Sequence, residues 1–523
     1  MPQPEPRVLV IALSEATLDL IVPWAGAGRL PTFERLMREG CWGPLRSQVP
    51  LITPQLWGTI VTGYSPGRHG AFDFWQRGPD GRFRQINGAD LKERPIWSLL
   101  SERGIACGVV NVPFTYPPQP LRGFMISGHD APGAHRSIAY PPALFDDLVA
   151  RFGRYRLKDI FPGGRRKTDY LTLIEEDTAK QADVLEYLVA HKPWRFFLTF
   201  FSVSAMAQHY FWGDMESPDS ANPFRDVVPA AYRSLDKAVG RLIAAAGPET
   251  TVYVISECGA GRLQSGVQIN AWLAREGFLT WKRPPGESST GGNRASTARA
   301  WSLVAGWRKR MQRHLPAPLF FWLNRAFGSL AKAGLRSYTT DSGIAWDRTQ
   351  AFSRGKEGDI FVNLQGRDPH GIVAPGPDYE RVTGRIIERL ENLVDPATGE
   401  KPVARVHRAA DLYAGPMLPS APDLVVEWRD NAYMPTEDEG DRQTVFVPRW
   451  REYMAWPTTG SHRVDGILLT HGPGVARDRR IEGVRIADLV PTWLSVLQQP
   501  IPSDLPGRVV TELFEPAEAR LVE

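Results

Sequence analysis

The sequence predicts a doubly wound α/β protein, with a mainly parallel central sheet, helices on both faces and a cap inserted late in the chain. Three observations predict it. Apolar runs recur: VLVIAL at 8–13, FFLTFF at 196–201, broken only by Thr199, and VYVI at 252–255. Runs of this kind mark strands buried on both faces. Amphipathic helical segments lie between them, and alternation of strand and helix is what a parallel sheet with crossover connections requires. The 523 residues allow one large core with insertions rather than three small domains.

Taken in order, Val8 to Leu13 is the first central strand. Helices follow through Leu18 and Ile21 and from Thr32 to Arg38, the second stopping at Gly40. The connection VPLITPQLWGTIVTG takes helical spacing in its second half. Ile96 to Arg103 reads as a helix, Ala106 to Val112 as a strand, and Leu171 to His191 as a long amphipathic helix. The strand Phe196 to Phe201 runs into SVSAMAQHYFW, and a helix from Ala230 to Ala245 leads into VYVIS. From about 283 to 343 the pattern breaks, first into RPPGESSTGGNRASTAR and then into a basic, aromatic stretch. The sheet pattern resumes with IFVNL, DLVVEW and GILLTHGPG. This divides the chain into a first core part (1–282), a loop and helical cap (283–343) and a second core part (344–523).

Composition narrows the function. A net charge of +4 without a dominant basic run gives no footprint for nucleic acid. Cys41, Cys107 and Cys258 are few, odd in number and widely spaced, which fits a reducing compartment. The N-terminus enters a strand directly, so no signal peptide is read. No apolar run reaches the roughly 18 residues of a spanning helix. The expectation is a cytoplasmic protein acting on a small molecule. The amphipathic segment 308–335 reads either as a membrane-surface helix or as part of a cap over the site.

Polar residues follow apolar strands, or head a helix, in LSEAT (13–17), LITPQLW (51–57), SAMAQHYFW (204–212) and SECGAG (256–261), and His462 stands just before a strand. These are the places where open α/β sheets hold ligands. RLPTFERLMREGCWGPLRS, TIVTGYSPGRHGAFDF, NVPFTYPP, ISGHDAPG, the SHR-DGILL segment and DLVPTWLSVL follow one another in an order and spacing that resembles the alkaline-phosphatase superfamily, in its type I phosphodiesterase/nucleotide pyrophosphatase branch. The resemblance runs nearly end to end.

That resemblance implies a two-zinc site, with cations about 4 Å apart clamping the attacking and leaving oxygens of an in-line displacement. It implies a nucleophile at Thr53, which opens a helix. One metal would be held at positions 14, 53, 257 and 258, where the family pattern is Asp, Thr, Asp and His. The other would be held at positions 205, 209 and 462, where it is Asp, His and His. Here those positions are Ser14, Thr53, Glu257, Cys258, Ala205, His209 and His462. Shifting the alignment offers no substitute: Glu15 points to the opposite face from Ser14 in a strand, and Asp214 lies too far beyond His209.

Two zinc ions carry four positive charges, and only Glu257 remains to offset them, so a full two-zinc cluster is not expected. A single Zn²⁺ on His209 and His462 with Glu257 or Cys258 is chemically sound. Without metal, Cys258 beside an imidazole would be an activated nucleophile. Each residue also has a plainer reading: Cys258 as a small core hydrophobe, Thr53 as a helix cap, and the histidines as hydrogen-bonded relics. His129 and Asp130 stand at a strand end and, with Ser14, read as substrate-binding candidates. Three functions follow. The first is a hydrolase or transferase repurposed away from two-zinc phosphodiester hydrolysis, of the kind a biosynthetic pathway uses, with one metal or none and Thr53 or Cys258 as nucleophile. The others are a conventional phosphodiesterase or nucleotide pyrophosphatase with variant ligands, and a non-catalytic pseudoenzyme acting as a binding or scaffold protein. All three keep a small, phosphate-containing ligand within reach.

Overall fold

A computed structural model describes residues 5–78, 80–153, 155, 167–282, 343–355, 357–436, 442–448 and 457–516. The expected cap, with its 308–335 segment, lies outside the described residues except for Gly343.

The apolar run at the N-terminus forms the strand Arg7–Leu13, at the middle of a ten-stranded sheet. It pairs in parallel with Phe196–Phe201 on one side and Thr250–Ile255 on the other. Cys107–Val112 and Gly123–Ser127 extend the parallel part. Asp465–His471 pairs antiparallel with both Thr250–Ile255 and Cys41–Arg46, and Ala139–Tyr140 runs antiparallel at the opposite edge.

Side-chain alternation along Arg7–Leu13 divides the core. Leu9, Ile11 and Leu13 face a cluster shared with the helices Tyr170–His191, Val203–Met215 and Val227–Ala246. Val8, Val10 and Ala12 face a second cluster, with Leu56, Trp57 and Ile60 of the helix Thr53–Thr62 and Trp493 of the helix Leu489–Val496. With both faces covered, the strand interiors are mainly apolar, with buried threonines such as Thr199 and Thr470 as exceptions. The polar residues of the pocket gather just beyond the strand ends.

The runs IFVNL and DLVVEW, which by pattern continue the central sheet, do not join it. Ile360–Val362 and Leu424–Trp428 belong to a separate four-stranded antiparallel sheet with Ala351–Ser353 and Val403–Arg408. The helix Pro377–Glu391 covers it and shares its own apolar cluster. Period-two alternation marks a strand but does not say which sheet it enters. Buried Arg77 ties the first part of the chain to this unit. Its guanidinium donates to the carbonyls of Pro419 (3.3 Å) and Ala421 (3.0 Å) and lies 3.6 Å from Asp368 and 3.9 Å from Asp423.

Candidate active site

The pocket lies beyond the C-terminal ends of the parallel strands, as an open sheet requires. Ser14 and Glu15 follow Arg7–Leu13, Ser202 follows Phe196–Phe201, Glu257 follows Thr250–Ile255 and His129 follows Gly123–Ser127; all line it. Thr53 opens a helix of ten residues and stands in the pocket wall. Apolar residues complete the wall, among them Phe74, Phe200, Met206 and Met434.

The decisive local feature is the turn after the first strand. The strand ends at Leu13, and Glu15 takes a left-handed backbone with φ +56°. Side-chain alternation therefore stops before position 15, and the expectation that Glu15 faces away from the site is corrected. The glutamate carboxylate meets both histidines: 3.0 Å to His209 Nε2 and 3.3 Å to His462 Nε2. The two imidazoles stand edge to face with centroids 5.2 Å apart. One candidate ligand atom from each of Glu15, His209 and His462 lies within 4.8 Å of the others. A left-handed non-glycine residue costs about 1–2 kcal/mol, and such strain gathers at functional sites.

Electrostatics bind this cluster together. Burial alone would raise the Glu15 carboxyl, but the charges of His209 and His462, and their hydrogen bonds, outweigh it and hold the group well below the usual carboxylate range. His209 Nδ1 is 3.2 Å from the carbonyl of Gly460. With its Nδ1–H donated there, Nε2 presents a lone pair toward Glu15. A lone pair facing a carboxylate needs a proton or a metal cation between them.

The other half of the pocket is different. Ser14 donates to Glu257 at 3.0 Å. The Glu257 carboxyl is pushed up to about 8 by burial and by the charge of Glu15, and its second oxygen is buried without a hydrogen-bond partner among the described residues. Ala205 presents a methyl group to the pocket. Cys258 is 2% exposed and packs in the core cluster beneath the sheet, and it is not part of the pocket wall. Burial lifts its thiol well above the ordinary value, and Glu257, Glu15 and Glu357 add to that. The expected placement of Cys258 as a ligand or activated thiol is thus corrected. The residue after Glu257 turns back into the core, where an apolar-sized side chain fits.

Asp130 is corrected as well. Its carboxylate accepts from the backbone of Phe114 (3.1 Å) and Tyr116 (3.4 Å), holding a loop rather than facing the pocket. His129 does face it, stacked on Phe200 at 6.0 Å. Glu357, which the sequence does not flag, enters from the loop of the smaller sheet and comes within 3.9 Å of His462 Nδ1. Only the packing of that sheet against the core brings it there. Glu15 did leave a trace: Thr17 caps the next helix, so the residues between strand end and cap have to turn.

The sequence profile of the family "type I phosphodiesterase / nucleotide pyrophosphatase" matches residues 8–454. The chain belongs to this family. Solved structures with the same alkaline-phosphatase-type architecture include murine ectonucleotide pyrophosphatase/phosphodiesterase 5, as an inactive variant in complex with AMP. It is 12% identical, with a TM-score of 0.52 over 98% of this chain and 100% of that one. Phosphonoacetate hydrolase from Sinorhizobium meliloti, in complex with phosphonoformate, is 13% identical, with a TM-score of 0.53 over 94% and 95%. No curated protein matches the chain in sequence. At these identities the likeness establishes the fold. In this member Thr53 lines the same pocket as His209 and His462, and Glu15 stands beside the two histidines. Among the described residues, no helix is long and apolar enough to cross a membrane.

Proposed function

We propose that the protein is a one-metal hydrolase of small phosphate-containing esters, with a divalent cation held by Glu15, His209 and His462 and Thr53 as the nucleophile. The observation that carries this is the convergence of those three ligand groups on the pocket that Thr53 also lines. The donor set fits zinc: two imidazoles and a carboxylate leave a fourth position open, the layout of catalytic rather than structural sites. The second metal position does not fit. Ser14 is neutral, Ala205 has no donor, Cys258 is buried away from the pocket, and Glu257 alone cannot offset a second dication.

When bound, such a cation polarises the phosphoryl oxygen and neutralises charge developing there. The chain's own residues supply the rest. Thr53 presents its hydroxyl from the first turn of its helix, where unpaired backbone N–H groups favour an anion. Attack of the Thr53 oxygen on phosphorus displaces the alcohol and leaves a phosphothreonine, which water then cleaves. Glu15 orients both imidazoles, and Gly460 fixes His209 in the tautomer that offers Nε2. Phe74, Phe200 and Met434 give the substituent an apolar surface.

Elemental analysis of purified protein tests the reading. One zinc per chain is expected, lost in His209→Ala, together with turnover of small aryl phosphate esters that falls at least about 100-fold in Thr53→Ala, as for loss of an activated nucleophile. Two metals per chain would restore the conventional phosphodiesterase. A protein that binds no metal and turns nothing over would instead be a binding protein.

A further inference from the structure

Glu15 occupies a backbone conformation that favours glycine, and three fully buried side chains grip the turn that holds it. Ser204 donates its hydroxyl to the carbonyl of Ser14 at 2.6 Å. Gln208, four residues later on the same helix, donates its amide to the carbonyl of Glu15 at 3.0 Å. Tyr232, on the neighbouring helix, accepts from the backbone N–H of Thr17 at 3.0 Å and donates its hydroxyl to Gln208 Oε1 at 2.9 Å. All three side chains are 0% exposed.

The chain of hydrogen bonds has one direction. The Thr17 N–H fills the acceptor side of the Tyr232 hydroxyl, so the hydroxyl proton goes to Gln208 Oε1. The Gln208 NH₂ then faces the carbonyl of Glu15. A reversed amide would set oxygen against oxygen at Glu15 and nitrogen against the hydroxyl proton. Gln208 also immediately precedes His209. One helix thus carries a histidine of the cluster and grips the backbone of the glutamate that meets it.

We propose that Gln208 is a positioning residue: it holds the Glu15 backbone in its left-handed turn and so delivers the carboxylate to His209 and His462, with Tyr232 setting the orientation of its amide. This rests on the one-metal reading for its functional meaning, though not for its geometry. In this chain the carboxylate absent from position 205 is supplied by position 15, and Gln208 and Tyr232 are what make a non-glycine turn deliver it.

The test is a double-mutant cycle on zinc affinity, measured on the full chain by competition with a chromophoric chelator. Gln208→Met keeps the length of the side chain and removes both hydrogen bonds. It should weaken zinc binding about 10- to 100-fold, the range for outer-shell partners of a metal ligand, and Tyr232→Phe should act in the same direction. In a Glu15→Ala background, Gln208→Met should cost less than about 2-fold further, because its effect runs through Glu15. Wild-type affinity in Gln208→Met, or an equal loss in both backgrounds, would overturn the proposal, the second outcome assigning Gln208 to helix packing. If the wild type binds no zinc, the one-metal reading fails by itself, and crystal structures decide the positioning claim. Glu15 should leave the left-handed region in metal-free Gln208→Met, and an unmoved Glu15 refutes the role. Should Gln208→Met not fold, Tyr232→Phe carries both comparisons.

Discussion

Mild acid should weaken the protein through one buried imidazole. His69 is 0% exposed. Its Nε2 is 3.1 Å from the Thr59 hydroxyl, its Nδ1 accepts from the backbone N–H of Ala71 at 3.2 Å, and its ring packs directly against Gly58. It therefore lies under the helix Thr53–Thr62 that carries the candidate nucleophile. Burial lowers its pKa to about 3, against about 6.5 in an unfolded chain. Between these values the unfolded state binds the proton and the folded state does not, so stability is fully present above about pH 6.5 and falls as pH drops toward 3. Linkage puts the loss at about 2 kcal/mol by pH 5 and about 4 kcal/mol once pH reaches the folded value. The assay is urea unfolding of wild type and His69→Gln at about pH 7.5 and pH 5. The variant loses packing at both pH values, so the quantity to compare is the change with pH. Wild type should lose about 2 kcal/mol more than His69→Gln over that interval. Equal changes in the two proteins would refute the reasoning and mean that His69 accepts a proton in the folded state.

Two other perturbations have defined outcomes. Cys41, Cys107 and Cys258 are all buried, and burial raises each thiol, Cys41 to about 11 and Cys107 to about 12. All three should resist alkylation at neutral pH until urea is added, and Cys258→Ala should leave zinc content unchanged; selective labelling of Cys258 on folded protein would return it to the site. Removing the Arg77 guanidinium with Arg77→Met should cost about 3–5 kcal/mol, as for breaking other buried ion pairs, because Asp368 and Asp423 are each 5% exposed. A change below about 1 kcal/mol in urea unfolding would show that Arg367, which pairs with both, suffices.

Much of the site was legible at the level of elements. Short apolar runs bounded by turns fit strands covered on both faces, and Val8–Leu13, Phe196–Phe201 and Val252–Ile255 are such strands. Their C-terminal ends then mark where a pocket forms, and Ser14, His129 and Glu257 were found there for that reason. His209 and His462 came from motif order and spacing. The error at Cys258 has a simple origin: adjacency to Glu257 was taken as a shared environment, yet successive residues leaving a strand end can point into different spaces. Glu15 was set aside on a rule that holds only while the strand lasts.

The sequence by itself determined the doubly wound sheet, the family through the order and spacing of its motifs, and Thr53 at a helix start. These follow from local periodicity and from residue types at motif positions, information each segment carries alone. Tertiary structure decided the composition of the site. It turned Glu15 toward two histidines whose segments are 194 and 447 residues away in number, sent Cys258 into the core, brought Glu357 in from a separate sheet and locked the turn with Gln208 and Tyr232. The physical reason is that a strained turn is held by hydrogen bonds from distant helices, and those partners exist only once the helices have packed.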